Sequence, residues 1–207
     1  MTEHVKHIVD NLPFNPGIYM MKDENGKIIY VGKAISLRKR VRQYFQKNNK
    51  SARIEKMVSL IRDISYIVTE NEVEALVLEC NYIKENKPKF NVMLKDDKTY
   101  PYIKINIKDK YPIITVTRRK TNDKAMYFGP YTNVGAMKES LASIKEIFPV
   151  KRCRYNLEKK KLTRPCLYYH IGRCLGPCIN DVSREEYKEM INQIVMFLQG
   201  KNSEIKD

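Results

Sequence analysis

Apolar residues recur along the chain with two periods, and the change from one period to the other sets out the elements. Pro16-Gly17-Ile18-Tyr19-Met20-Met21 and Ile28-Ile29-Tyr30-Val31-Gly32-Lys33 are short β-branched and aromatic runs on either side of Asp23-Glu24-Asn25-Gly26. Asn-Gly between such runs predicts a β-hairpin, because both residues tolerate positive φ. Residues 1–11 predict a loose helical lead-in to it. Beyond the hairpin, Ser36 is placed to cap a helix whose apolar positions are Leu37, Val41, Tyr44 and Phe45. Arg40 and Tyr44 stand four apart on that helix and share a face. Gln46 to Lys50 is a polar connection. Ile54, Met57, Val58 and Ile61 then predict a second helix, and Ile64 to Val68 a short strand.

Thr69-Glu70-Asn71-Glu72 has the form of a capping box and opens the best helix of the sequence, which runs to about Asn86 and is stopped by Pro88. Its stripe is Val73, Leu76, Val77, Cys80 and Ile83, with Glu79 on the flank. A carboxylate there is either a half-buried ion-pair partner or a metal ligand at the edge of a sheet-facing helix. Asn91 follows in an extended stretch, Phe90 to Leu94, and the charged break Lys95-Asp96-Asp97-Lys98 marks a domain boundary. Tyr102 to Ile107 and Ile113 to Arg119 read as two antiparallel strands, followed by Tyr127-Phe128-Gly129-Pro130-Tyr131. Met137, Leu141, Ile144 and Phe148 predict a helix, Cys153 to Cys178 is irregular and basic, and Tyr187, Ile191, Ile194, Val195 and Leu198 predict a last helix. The fold class is therefore α+β, with domains at 12–97 and 98–207.

Charge narrows the partners. Lys and Arg number 39 against 24 Asp and Glu among 207 residues, a formal net charge of +15. Such an excess concentrates polyanions near the surface and favours a nucleic-acid partner over a merely well-solvated one. No apolar run reaches the ~20 residues of a membrane span, and Met1 to Asp10 is too polar for a signal peptide. The chain reads as cytoplasmic, where five cysteines point to thiols or metal ligands rather than disulfides. Cys80 lies on a helical stripe and reads as a core thiol. Cys153, Cys166, Cys174 and Cys178 lack the paired C-x₂-C spacing of zinc ribbons; an iron–sulfur cluster, zinc and unligated thiols all fit them. Histidine chemistry is unsupported, since His4, His7 and His170 show no metal-pair spacing.

Gly17-Ile18-Tyr19 with Tyr30-Val31-Gly32 resembles the signature of the GIY-YIG nucleases, Val31 standing for the usual isoleucine. The resemblance extends to the UvrC family through Leu12-Pro13, Val31-Gly32-Lys33-Ala34, Glu74-Ala75-Leu76, Leu78-Glu79-Cys80-Asn81, Asp96-Asp97-Lys98, Tyr100-Pro101-Tyr102, Tyr127-Phe128-Gly129-Pro130-Tyr131 and Arg164-Pro165-Cys166-Leu167-Tyr168-Tyr169. It covers about Leu12 to Gly200. UvrC is the incising subunit of bacterial nucleotide excision repair, and the resemblance implies a three-stranded antiparallel sheet flanked by helices that cuts DNA 3′ of a lesion. It implies Tyr30 as general base, Tyr19 as support for the water or phosphate, Arg40 on phosphate oxygens and Glu79 on a divalent cation, Mg²⁺ or Mn²⁺. Tyr44, Asn91 and Lys33 also match catalytic positions, and a cation such as Lys33 beside Tyr30 is expected to favour its phenolate. Arg38 and Arg42 are expected on DNA. The four late cysteines match a family reported to carry an iron–sulfur cluster.

The implied partners are damaged or nicked duplex DNA and the UvrB–DNA complex, in the setting of DNA damage and the SOS response. Full-length members continue into a UvrB-binding segment, an RNase H-like nuclease and helix-hairpin-helix motifs, and this sequence stops at Asp207 before them. It is expected to be either part of a longer protein or a short single-nuclease relative. A free-standing nuclease making one cut and a non-catalytic DNA-binding scaffold are the alternatives. The presence of Tyr19, Tyr30, Arg40 and Glu79 argues against the scaffold.

Overall fold

The computed structural model describes residues 1–46, 51–91, 100–155, 157 and 162–200, and it divides into two units, Met1–Lys98 and Thr99–Asp207. The expected polar connection beyond Gln46, the extended stretch beyond Asn91 and the charged break at Lys95–Lys98 lie outside the described residues.

In the first unit the order is α1 (Glu3–Asn11), β1 (Gly17–Lys22), β2 (Ile28–Ala34), α2 (Leu37–Gln43), α3 (Ala52–Leu60), β3 (Asp63–Val68) and α4 (Glu72–Asn86). The strands form an antiparallel sheet in the order β2-β1-β3. The hairpin is present, but its loop is longer than a two-residue Asn-Gly turn. Asp23 N–H donates to Lys27 O and Gly26 N–H to Asp23 O, both at 3.0 Å. The Asp23 carboxylate accepts from the N–H groups of Asn25 and Lys27 at 3.0 Å each. Only Gly26 of this loop takes a positive φ, at 73°, so the Asp23 side chain does what a left-handed Asn25 was expected to do.

Two expected caps are corrected. Ser36 holds the N-cap position of α2, yet its Oγ makes no cap bond and is buried without a partner. The cap of α4 is Asn71, whose Oδ1 accepts from Glu74 N–H at 2.9 Å, while Glu74 Oε2 accepts from Glu70 N–H at 2.9 Å. The cap thus sits two residues later than Thr69-Glu72, with Glu74 reaching back past Asn71 to Glu70. Thr69 is retained by the sheet side of the junction, since its N–H donates to Pro16 O at 2.9 Å.

Strand alternation assigns the two faces. Tyr19 and Met21 pair in register with Gly32 and Tyr30, and they share a core with Val5, Val9, Leu12, Leu37, Val41 and Met57 from the first three helices. Ile18, Met20 and Val31 point to the other face, which α4 covers with Ala75, Leu76 and Val77. The expected α4 stripe is corrected accordingly: Val73, Cys80 and Ile83 are half-buried, and the full burial is in the Ala75–Val77 turn.

The second unit has β4 (Tyr102–Ile105), β5 (Ile114–Thr117), β6 (Met126–Phe128), α5 (Val134–Ile147), α6 (Leu167–His170) and α7 (Arg184–Leu198), with an antiparallel sheet in the order β5-β4-β6. β4 stops short of Ile107 because Asn106 begins a turn, its side chain donating to Asp109 at 2.8 Å. β6 and α6 were not legible as elements. Asn133 and Ser183 cap α5 and α7, each accepting a backbone N–H at 3.0 Å. Tyr187, fully buried on α7, keeps its hydroxyl paired by donating to Pro112 O at 2.9 Å and accepting Lys151 N–H at 2.8 Å.

Candidate active site at the free edge of β2

β2 is an outer strand, so its outward peptide groups have no neighbouring strand to pair with. Three different groups take them in turn. Phe90 N–H donates to Ile29 O at 2.9 Å. Asn91 accepts Val31 N–H through Oδ1 and donates from Nδ2 to Val31 O, both at 2.8 Å. Glu79 Oε1 accepts Lys33 N–H at 3.0 Å. The chain reaches this edge because α4 ends at Lys87, left-handed at φ 44°, and Pro88 prevents its continuation. Arg53 of α3 then holds the returning segment, Nη2 donating to the carbonyls of Phe90 and Asn91 at 3.2 and 3.3 Å.

Both signature glycines have a steric reason. A Cβ at Gly32 would lie 2.4 Å from the Tyr19 hydroxyl and 3.0 Å from the Tyr30 ring, so the tyrosine crosses the strand where no side chain stands. A Cβ at Gly17 would lie 2.2 Å from Ile67 O, against the pairing of β1 with β3. With that clearance, three tyrosines meet. Tyr44 Oη lies 3.0 Å from Tyr19 Oη and donates to Tyr30 Oη at 3.2 Å. The three ring centroids are 5.9–6.1 Å apart. Arg40, one turn before Tyr44 on α2, sits 5.6 Å over the Tyr44 ring and donates to Gln43 Oε1 at 3.1 Å.

Burial governs the protonation of this cluster. Desolvation pushes Tyr30 well above the usual tyrosine value, and Tyr44 and the Glu79 carboxylate push the same way. Desolvation likewise raises Tyr19, with Arg40 opposing. Lys33 does not favour the Tyr30 phenolate as expected. Period-two alternation places its side chain on the α4 face, opposite Tyr30, and its ammonium pairs with Glu72. Glu79 is also raised by desolvation, against the pull of Lys33 N–H and the charges of Lys33 and Arg40. The site therefore holds two protonated hydroxyls, Tyr19 and Tyr30, beside a carboxylate whose charge burial disfavours.

The remaining candidates separate. Asn91 engages the Val31 peptide with both amide atoms. Arg38 and Arg42, expected on DNA, make contacts inside the unit: Arg38 stacks 4.5 Å over Phe14 and donates to Leu12 O, and Arg42 pairs with Asp10 at 2.8 Å. Cys80 is half-buried and its thiol is pushed up to about 12 by burial. Cys153, Cys166, Cys174 and Cys178 line one small pocket of the second unit; the first two are exposed and the last two buried. Among the described residues no group of three or more His, Cys, Asp or Glu is arranged to hold a metal ion. Arg53 went unnoticed in the sequence, and Glu72 was read only as part of a cap, since a charge on a helix gives no local sign of a distant backbone or ammonium partner.

Residues 15–92 match the family described as the UvrC-like GIY-YIG domain, and residues 100–197 match the UvrC/Cho excinuclease middle domain. The chain is 53% identical to UvrABC system protein C of Alkaliphilus oremlandii over 97% of its own length and 33% of that protein. It is 50% identical to the protein of the same name from Clostridioides difficile over 99% of its length and 34% of that protein. It thus spans about a third of the length of these curated relatives. A solved GIY-YIG N-terminal endonuclease domain of UvrC from Thermotoga maritima, bound to magnesium as its catalytic cation, is 36% identical. The match covers 44% of this chain and all of that one, with a TM-score of 0.41.

The raised Glu79 predicts a measurable trade. In Glu79→Gln the acceptor for Lys33 N–H is kept and the buried charge is gone. Because the folded pKa lies above the ordinary 4.5, the wild type loses stability as pH rises from there through the folded value. The Gln variant is expected to melt higher than wild type at pH 7, with the difference shrinking toward pH 4. Thermal scans across that range check it; a lower melting temperature for Glu79→Gln at pH 7 contradicts the burial argument.

Proposed function

The chain belongs to the UvrC family, and we propose that this portion of it is a metal-dependent endonuclease hydrolysing one phosphodiester bond of damaged or nicked duplex DNA. The cut is the 3′ incision of nucleotide excision repair, made in the cytoplasm on DNA held with UvrB. No helix among the described residues is long and apolar enough to cross a membrane, and the net charge of +15 suits a polyanionic substrate. The observation that carries the reading is the convergence at one strand edge of the Glu79 carboxylate, the Tyr19–Tyr30–Tyr44 hydroxyls and the Arg40 guanidinium.

Each group has a task its chemistry fits. Tyr30 and Tyr19 orient the attacking water through their hydroxyls, and Tyr30, once a bound cation had favoured its phenolate, would be the proton acceptor. Arg40 presents a fork of donors to the charge that grows on the phosphate oxygens. Tyr44 fixes the other two tyrosines through the hydroxyl bridge. Glu79 offers a hard oxygen ligand, held in place by Lys33 N–H, and this donor type fits Mg²⁺ or Mn²⁺. Such a cation supplies Lewis-acid stabilisation of the phosphoryl oxygen and lowers the pKa of nearby hydroxyl groups and water.

Cleavage of prenicked DNA with Mg²⁺ and Mn²⁺ is the test. Glu79→Gln is expected to bind DNA and remain folded while turnover is lost, and Arg40→Ala to lower kcat by roughly 10²- to 10³-fold. Full turnover by Glu79→Gln, or by wild type in excess chelator, overturns the assignment.

The four-cysteine pocket carries a separate reading. We propose an iron–sulfur cluster there, ahead of zinc: Cys153, Cys166, Cys174 and Cys178 line one pocket of a loop-rich segment with little core of its own, and ligation would have to draw together thiols that are not arranged around a metal as they stand. Burial and the neighbouring thiols raise Cys174 and Cys178, so both rest as neutral thiols and would give up their protons only on binding a metal. Anaerobically purified protein is expected to be brown and to contain iron; colourless protein with zinc selects the alternative. Metal-free protein whose Cys→Ser variants melt like wild type contradicts both.

A further inference from the structure

Two of the aromatic segments in the second unit have no part in the nuclease site, and the sheet brings them together. Tyr131 N–H donates to Pro101 O at 3.0 Å, joining Tyr100-Pro101-Tyr102 to Tyr127-Phe128-Gly129-Pro130-Tyr131. Half of these residues are core: Pro101, Phe128, Gly129 and Tyr131 are buried. Tyr102 and Tyr127 are not. Along β4, Ile103 and Ile105 face the core, so Tyr102 and Lys104 face outward, with Tyr127 of β6 beside Lys104 and Thr115 and Thr117 of β5 on the other side.

We propose that this outward face of the β5-β4-β6 sheet is a stacking platform for single-stranded DNA. The two rings are 6.4 Å apart and edge to face, on adjacent strands. Each carries a cation: Lys120 Nζ lies 4.7 Å from the Tyr102 centroid and Lys104 Nζ 5.5 Å from that of Tyr127. Tyr127 is held rigid, its hydroxyl donating to Asp123 at 3.0 Å and accepting Thr121 N–H at 3.2 Å. Arg118, Arg119 and Lys120 follow β5 as an exposed basic run. Aromatic faces that stack bases, flanked by flexible cations that move to phosphates, are what a sequence-tolerant single-strand surface requires. Asp123 is paired with Lys104 and leaves the basic run to set the sign of the surface. Threonines opposite Tyr102 and Lys104 are small enough to leave the rings approachable.

The intact chain, kept in chelator so that nothing is cut, is tested with an oligothymidine of about 10 nucleotides carrying 5-iododeoxyuridine, and with a duplex of equal length. Photocrosslinks are expected on Tyr102 or Tyr127. Tyr102→Leu and Tyr127→Leu are each expected to weaken single-strand binding about tenfold with duplex binding unchanged, and Tyr102→Phe to bind like wild type. Lys120→Glu, at an exposed position that folding tolerates, is expected to weaken binding and flatten its salt dependence. Crosslinks mapping only outside residues 100–128, or wild-type affinity in Lys120→Glu and in whichever leucine variants fold, overturn the platform. The two readings fail separately: crosslinks on these tyrosines in a chain that cleaves nothing with Mg²⁺ leave the platform standing and remove the nuclease assignment, and cleavage without such crosslinks does the reverse.

Discussion

The free edge of β2 is the constraint on which the nuclease unit depends. An outer strand presents unpaired peptide groups at every second residue, and a buried one left unpaired costs about 1–3 kcal/mol. Here Ile29, Val31 and Lys33 are answered by a backbone N–H, a carboxamide and a carboxylate from one continuous segment, Glu79 to Asn91. The last of these is the proposed metal ligand. Its position is set by a structural need of the sheet, so fold and chemistry share one hydrogen bond. Arg53 belongs to the same arrangement, because it fastens the segment at Phe90 and Asn91.

The cluster beside that edge is costly by the same physics. The Tyr19 and Tyr30 hydroxyls and the Glu79 carboxylate sit where desolvation disfavours the charged forms. A site of this kind is poised rather than stable: its resting protonation is wrong for a base, and the nearby charges of Lys33 and Arg40 do not offset the burial of its carboxylate. Lys33, expected beside Tyr30, is paired with Glu72 on the α4 face. A divalent cation answers both deficits at once, which is why the proposed chemistry and the electrostatics point the same way.

Much of this was legible in the sequence, for identifiable reasons. The hairpin and every helix of more than one turn show strong period-two or helical patterning, and Gly17, Tyr19, Tyr30 and Gly32 stand at a separation that the resemblance to GIY-YIG nucleases made specific. Short elements escaped: β6 has three residues and α6 four, too few for a period to show. The α4 cap was misplaced because Thr69 and Asn71 are both good N-caps, and the choice was made by a bond from Thr69 to Pro16 in another part of the chain. The Val31 partner of Asn91 was not legible for the same reason. A residue's match to a catalytic position does not say whether its side chain meets substrate or, as here, the peptide of Val31.

Amide hydrogen exchange at β2 tests the central claim most directly. If Glu79 is placed by the unpaired Lys33 N–H, that edge-strand amide is slow to exchange in the wild type and about tenfold or more faster in Glu79→Ala, while the Val31 amide, held by Asn91, stays slow in both. A Lys33 amide that exchanges freely in the wild type, or that stays protected in Glu79→Ala, contradicts the account.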